Sequence, residues 1–439
     1  MRGIALPRTT TYDVPLLAVV LALLAMGLAM VYSASGIRAL DTRDDPSYFL
    51  VQQSVWAAIG LAGMLVAARI DHRHYRHAAL PLLVLVLVLL ALVLVPGVGT
   101  TAGGAARWLR LTPFVGLQPA ELAKLALILY LAFWLGGRRD RVGSPPVLVG
   151  FAALVALVAG LVVAEPDLGT AVVLVLIGLG VYFAAGARLV AFGALGLLAV
   201  VASAALAIAQ PYRLQRVLTF LDPWSDPRGA GFQTIQSLYG LALGGPFGEG
   251  LGAGKEKFGF LPASYTDSIF AVIGNELGLF GTLTVILLFL ALAFRGTRIA
   301  LRAPDAEGAL LATGITVWLA FQAWLNMAVV ASLVPMTGIT LPFISYGGSS
   351  LCVGLFAVGI LLSVGNSATR GASPPRSPQG LRGGRGSAGA EPPPRLSRAP
   401  RGRGDGRARE PAARGRGSAP RAGSGRGAPV LWRSPRARG

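Results

Sequence analysis

The chain has 439 residues, 54% of them hydrophobic and only 13% charged, about half the charged share of a soluble domain. Its mean hydropathy is +0.63, and the apolar residues fall in runs of about twenty, long enough to cross a bilayer core as helices; helices so apolar would have no face for water, which excludes a soluble enzyme. The formal charge of +19 does not point to nucleic acid, because +14 of it sits beyond residue 365, where seventeen arginines meet three acids.

In chain order, residues 1–13 form a short cytoplasmic N-terminus carrying Arg2 and Arg8. The first apolar run is too long for a signal-peptide core and is read as an uncleaved span. Ten spans are predicted, at 14–34, 51–68, 79–97, 119–136, 147–164, 169–186, 188–209, 268–293, 309–332 and 346–365. The loop D-H-R-H-Y-R-H holds all three histidines (His72, His74, His77) and is read as a basic interfacial loop charged by Arg73 and Arg76, not as a metal site. Cys352 is the only cysteine, so neither an internal disulfide nor a thiolate cluster can form. Residues 366–439 are rich in Arg, Gly, Pro and Ser and too poor in apolar residues to bury a core; they are expected to be a disordered cytoplasmic tail drawn to anionic lipid.

Positive charge sorts the connections. Arg2 and Arg8, Arg69 to Arg76, Arg138 to Arg141, Arg188, Arg295 to Arg302 and the tail all fall on one side. The positive-inside rule then places both termini in the cytoplasm, which an even count of spans satisfies. The fold class expected is an all-α integral membrane protein of ten helices, spanning 14–365, with one long extracytoplasmic loop at 210–267. A loop of that length in a compact membrane protein is usually functional.

Four polar clusters lie at or near the outer face, and polar groups there need a reason. In the segment 104–124, Glu121 and Lys124 stand three apart on one helix face and can pair. Two readings stand: a self-neutralising structural pair, or an ammonium offered to a diphosphate. In A-E-P-D-L-G-T, residues 164–170, Asp167 reads first as a helix N-cap, with substrate contact as the second reading. The long loop contributes Arg213, Arg216, Arg228, Lys255 and Lys257, a basic patch interleaved with aromatic and glycine residues. Asp267 opens the eighth span and reads as an N-cap or first-turn acid. Glu276, nine residues on and about half a turn out of phase, is expected to pair within the bundle instead of joining Asp267.

At these clusters the chain resembles the SEDS family (FtsW, RodA, SpoVE), and most closely its FtsW branch. The resemblance runs from about residue 12 to 365. It rests on Y-S-A-S (32–35), R-W-L (107–109), Q-P-A-E-L-A-K (118–124), P-D-L-G-T (166–170), D-P-W-S-D-P-R-G-A-G-F-Q (222–233), L-P-A-S-Y-T-D-S-I-F-A-V-I-G-N-E-L-G (261–278) and L-P-F-I-S-Y-G-G-S-S-L (341–351). Departures from the family's wording are Ala120 for serine, Glu165 for glutamine, Tyr265 for histidine, Ser268 for phenylalanine and Asn275 for glutamate.

The resemblance implies a peptidoglycan glycosyltransferase of the bacterial inner membrane, at the division septum. Lipid II is polymerised into β-1,4 glycan strands, and undecaprenyl diphosphate is released from the lipid-linked glycan donor. Such transfer needs a carboxylate to take the acceptor proton and cations for the leaving diphosphate. The family's catalytic aspartate maps onto Asp267; Arg107, Lys124, Arg213, Arg216, Lys255 and Lys257 are candidate phosphate or headgroup contacts, with Glu121 orienting Lys124. No cofactor is identified; a divalent cation suits the chemistry, but no ligand set marks one. The implied partner is a class B penicillin-binding protein within the divisome. Alternatives are a lipid II flippase, a non-catalytic divisome scaffold and a RodA-like elongation polymerase.

Overall fold

The computed structural model describes residues 12–102, 105–112, 115–254 and 261–371. Its helices are α1 (Val14–Arg43), α2 (Tyr48–Arg69), α3 (Tyr75–Val93), α4 (Pro119–Gly136), α5 (Pro145–Ala164), α6 (Leu168–Ala184), α7 (Leu189–Ile208), α8 (Pro211–Leu221), α9 (Phe232–Leu243), α10 (Ile269–Arg302), α11 (Ala306–Val330) and α12 (Gly348–Gly371). Among the described residues, nine helices are long and apolar enough to cross a membrane. The remaining expected span is α6, apolar but of 17 residues, which reaches about 26 Å at the α-helical rise, near the lower limit for a bilayer core.

The differences from the sequence expectation lie at the ends of helices and in the connections between them. Helix α1 continues past residue 34 to Arg43, and α12 continues past residue 365 to Gly371. The tail therefore begins later than expected, and residues 372–439 lie outside the described residues. The segment 98–118, expected as a turn, contains a three-stranded antiparallel sheet of β1 (Thr100–Ala102), β2 (Ala105–Thr112) and β3 (Val115–Leu117) in the order β1-β2-β3. The long loop is not irregular throughout: it folds α8, which carries Arg213 and Arg216, and α9, which carries Gln233.

Helices α4 and α11 occupy the centre, buried along most of their length, whereas α7 has no buried residue. Apolar side chains such as Val51, Leu85, Val190 and Leu287 point outward, as lipid-facing residues must. Hydrogen bonds and ion pairs define two ends of the bundle. At one end, Arg295 grips Asp13 at 3.1 and 2.6 Å, Arg73 meets Asp305 at 2.9 Å, and Arg76 pairs with Glu307. Within the interfacial loop His72 is fully buried, with Nε2 3.1 Å from Asp305. The reason is local: Asp305 caps α11 through the Gly308 N–H, and its second face is open to the imidazole.

The opposite end gathers the sheet, the turn between α5 and α6, helices α8 and α9, the start of α10 and the segment between α11 and α12. Helix α10 breaks at Gly278 (φ 65°, ψ −159°), so the stretch bearing Glu276 belongs to a short first segment and the membrane span follows it. The glycine-rich segment after α9 closes on that break. The N–H of Glu249 bonds the Asn275 carbonyl at 2.9 Å, and the Gly250 N–H bonds the Glu276 carbonyl at 3.0 Å. A Cβ at Gly278 would stand 2.4 Å from the Gly248 nitrogen.

Gly278 thus answers to two constraints, a left-handed φ and a backbone contact, whereas Gly186 (φ 97°) has nothing within 4 Å of its would-be Cβ. A left-handed residue costs about 1–2 kcal/mol when it carries a Cβ. Gly278→Ala should lower the melting temperature of the detergent-solubilised protein by clearly more than Gly186→Ala. Equal shifts would mean that the glycine segment does not press on α10.

Candidate functional site

Asp267 is the last residue but one before α10, and the chain around it is pinned at every step. The Ser268 N–H and the Thr266 N–H both bond the Ala263 carbonyl, each at 3.1 Å. The next three carbonyls are then taken by groups from the segment 326–346. Tyr346 N–H bonds the Tyr265 carbonyl at 2.9 Å, Ser345 Oγ donates to that of Thr266 at 2.6 Å, and Asn326 Nδ2 donates to that of Asp267 at 2.8 Å. Asn326 Nδ2 also bonds the Ile339 carbonyl at 2.8 Å. Non-helical backbone at this depth is tolerable because its polar groups are paired. From the other side, Gln233 of α9 donates to Ser268 Oγ at 3.0 Å.

The Asp267 carboxylate, by contrast, makes no hydrogen bond among the described residues. Half-buried, it is pushed up to about 6 by loss of hydration, with Asp167 adding to the rise and Arg107 and Arg216 opposing it. A carboxylate in that range is a proton acceptor at neutral pH and is not held by a donor that would weaken it as a base.

Two arginines, Arg107 and Arg216, act on it, and Arg213 lies beside Arg216 in the adjoining cleft. Arg107 of β2 donates through Nε to the Glu165 carbonyl at 3.1 Å and through Nη2 to the Pro166 carbonyl. Arg213 of α8 is buried and donates to the Val163 carbonyl at 3.1 Å and to the Tyr212 hydroxyl at 2.7 Å. Arg216 donates to the Met336 carbonyl at 3.3 Å. None of the three forms a salt bridge among the described residues. Their orientation is fixed by neutral acceptors, which leaves the charge for an anion. Among the described residues no three His, Cys, Asp or Glu side chains are placed to hold a metal ion.

The cavities follow the same order of polarity. A chamber of about 320 Å³ lies between α8 and α9, lined by Gln215, Arg216, Thr219, Gln233, Thr234 and Ser332 among others. It shares Tyr212, Arg216 and Met336 with a cleft of about 280 Å³ that also holds Arg213. That cleft shares Leu168, Val172 and Ser203 with a groove of about 440 Å³ between α5, α6 and α7, lined almost wholly by apolar side chains. Polar chamber, arginine pair and apolar groove are therefore contiguous.

The remaining sequence candidates are placed differently. Lys124 is 1% exposed, and its Nζ lies 2.8 Å from Glu121 Oε1 and 2.8 Å from Gln322 Oε1. The Trp318 ring is 5.1 Å away, and its Nε1–H bonds the same amide oxygen at 2.8 Å. The structure does not bring Glu121 and Lys124 to the cavities: the ammonium is already satisfied, and the pair is sealed between α4 and α11. It supports the site from beneath, because Gln322 Nε2 donates to the Thr340 carbonyl at 3.0 Å. Lys255 and Lys257 lie outside the described residues. Asp167 caps α6, accepting from the Thr170 N–H at 3.1 Å and Thr170 Oγ1 at 2.9 Å. Glu276 accepts from Ser33 Oγ at 2.7 and 2.6 Å and from the Gly252 N–H at 3.1 Å, away from Asp267. Asn326 was not singled out by sequence reasoning, although an amide inside an apolar run, one turn after Gln322, is the signal that would have found it.

With this geometry in place, comparison with known proteins identifies the chain. The profile of the cell cycle protein family that comprises FtsW, RodA and SpoVE matches residues 14–370. A probable peptidoglycan glycosyltransferase FtsW of Trichlorobacter lovleyi is 45% identical over 362 residues, covering 81% of this chain and 94% of the relative. The stage V sporulation protein E of Bacillus subtilis is 42% identical over 363 residues, covering 81% and 98%. Among solved structures, a chain of a peptidoglycan synthase complex that coordinates polymerization and crosslinking superposes with a TM-score of 0.67 at 34% identity, covering 82% of this chain and 99% of that one. The rod shape determining protein RodA of Thermus thermophilus superposes at 0.61 with 30% identity, covering 82% and 98%. This chain belongs to the FtsW/RodA/SpoVE family of cell cycle proteins.

Proposed function

We propose that this chain is a peptidoglycan glycosyltransferase that polymerises lipid II into β-1,4 glycan strands during division. The observation that carries the reading is the Asp267 carboxylate, without a hydrogen bond among the described residues and under the charges of Arg107 and Arg216, beside cavities that hold Arg213 and Arg216 and grade from polar to apolar. A lipid-linked sugar diphosphate has that same order of parts. Its saccharide suits the chamber of amides and hydroxyls, its diphosphate the Arg213–Arg216 rim, and its polyprenyl chain the apolar groove.

In the reaction, Asp267 takes the proton of the N-acetylglucosamine 4-hydroxyl of the acceptor as that oxygen bonds the donor's anomeric carbon. The bond from that carbon to the diphosphate oxygen breaks on the far side, giving inversion. The electron pair leaves on the diphosphate, where Arg107, Arg213 and Arg216 meet the charge. The arginine-rich end formed by the segments at 69–76, 137–143, 186–188 and 295–305 is the cytoplasmic one by the positive-inside rule. The site then opens outward from the bacterial inner membrane at the septum, where a class B penicillin-binding protein crosslinks the product. FtsW-named relatives at up to 45% identity favour the division role over elongation.

Purified protein should form glycan from lipid II, alone or with its penicillin-binding partner, and Asp267→Asn should lose about 10²-fold or more of that activity. Equal product from both would move the base elsewhere. No product under either condition, with lipid II transferred between leaflets of a vesicle, would establish the flippase reading. Because the base works only when ionised and its carboxyl is raised to about 6, kcat/KM should fall about tenfold per pH unit below that point. An acid limb nearer pH 4 would show that Asp267 is not desolvated in the working enzyme.

Asn326→Leu removes both amide bonds to the Asp267 and Ile339 carbonyls at similar volume. It should lower kcat at least about tenfold, the size expected for a small misplacement of a reacting group, with KM for lipid II little changed. A KM effect alone would assign Asn326 to substrate binding.

A further inference from the structure

Glu165 follows α5 directly, and its carboxyl is 1% exposed. Both of its oxygens are buried without a hydrogen-bond partner among the described residues. Charged and titratable groups face its turn from each side: Asp167 on the turn itself, Arg107 from β2, and Tyr212 and Arg213 from α8. The Arg107 guanidinium does not take the Glu165 carboxyl; it bonds the carbonyls of Glu165 and Pro166. An ionised carboxylate sealed with no donor is costly, and a neighbouring carboxylate makes it more so, whereas a neutral acid is tolerated.

The same two charges, Asp167 and Arg107, act on Glu165 and on Asp267. Resting on the glycosyltransferase reading above, we propose that Glu165 is a positioning residue that works only as a neutral acid, keeping Arg107 aimed at the reacting charges instead of at itself. With Glu165 neutral, Arg107, Arg213 and Arg216 outnumber Asp167 and Asp267, so the site holds an excess of positive charge for the diphosphate. An ionised Glu165 cancels that excess and becomes the nearest anionic acceptor for Arg107. Burial first, then Asp167, pushes the carboxyl up to about 8 against the pull of Arg107, so the change falls in reach of experiment. Glutamine is the neutral isostere of the protonated form.

The test compares the full-length wild type with Glu165→Gln by two readouts across pH 6.5–9.5. In infrared difference spectra the wild type should show a protonated carboxylic acid that disappears near pH 8 and is missing from Glu165→Gln. In lipid II polymerisation, wild-type kcat/KM should fall about tenfold per pH unit above that point, and Glu165→Gln should be active at neutral pH and stay flat for at least one unit further. A carboxylic acid band absent at pH 7, or the same alkaline limb in both proteins, overturns the proposal. So does a variant inactive at every pH, which would make the carboxyl itself indispensable. If the wild type polymerises nothing while the band titrates as described, the glycosyltransferase reading fails and the protonation of Glu165 stands.

Discussion

Three consecutive carbonyls, those of Tyr265, Thr266 and Asp267, are each bonded by one group from the segment 326–346. The rest of the site depends on this arrangement. A carboxylate at a membrane surface could be fixed by donors to its own oxygens, but those donors would stabilise the anion and weaken it as a base. Here the constraint is applied to the backbone, and the carboxylate is left without a donor among the described residues. The position is set by α11, which is among the most enclosed helices. On its inner side, Gln322 and Asn326 stand one turn apart; one collects Lys124 and Trp318 and the other ties the Asp267 and Ile339 carbonyls together. The buried Glu121–Lys124 pair is thus a footing for the turn that carries Asp267. Breaking such a pair from one side leaves a buried charge without compensation.

Arginine is used in opposite ways at the two ends of the bundle. At the end where α1 begins and α10 meets α11, Arg73, Arg76 and Arg295 close on Asp305, Glu307 and Asp13, and the charges cancel. At the other end, Arg107, Arg213 and Arg216 close on carbonyls. Carbonyl oxygens orient a guanidinium through its fixed fork of donors without neutralising it. The first arrangement holds helices together; the second stores positive potential in a partly dehydrated site, where it acts on an arriving anion more strongly than in water.

Much of this was legible in the sequence because bilayer physics is written in long, redundant signals. Runs of apolar residues gave ten elements in the right order, and their ends moved where a helix could continue into the interface, as α1 does to Arg43 and α12 to Gly371. Asp267 was visible as an acid where a span opens, Arg213 and Arg216 as part of a basic patch in the long loop, and Arg107 only through the resemblance. The sheet of β1 to β3 was not, since strands this short carry too few residues for an alternating pattern to stand out. The roles of Lys124 and Glu121 could not be read either: spacing puts them on one face, but only packing against α11 shows that Gln322 and Trp318 already occupy the ammonium. Asn326 and Ser345 act through carbonyls of residues far away in the chain, a relation that no local pattern encodes.

The break at Gly278 explains why two carboxylates so close in sequence have separate fates. Before it, the short segment from Ile269 runs above the span; Glu276 at its end turns to Ser33 of α1 and to the Gly252 N–H. Glu276 is fully buried there, and Ser33 and the Gly252 N–H supply donors in place of water. The N–H groups of the glycine segment bond the last carbonyls before the kink. The same break lets α9 lie against the start of α10, which is how Gln233 reaches Ser268 beside Asp267. On the far side, α7 has no buried residue and walls the apolar groove from the lipid side. A chain-bearing substrate can then keep its tail in an apolar medium throughout, and only its polar head has to exchange water for the amides, hydroxyls and arginines between α8 and α9. The desolvation that binding requires is confined to the groups the site is built to receive.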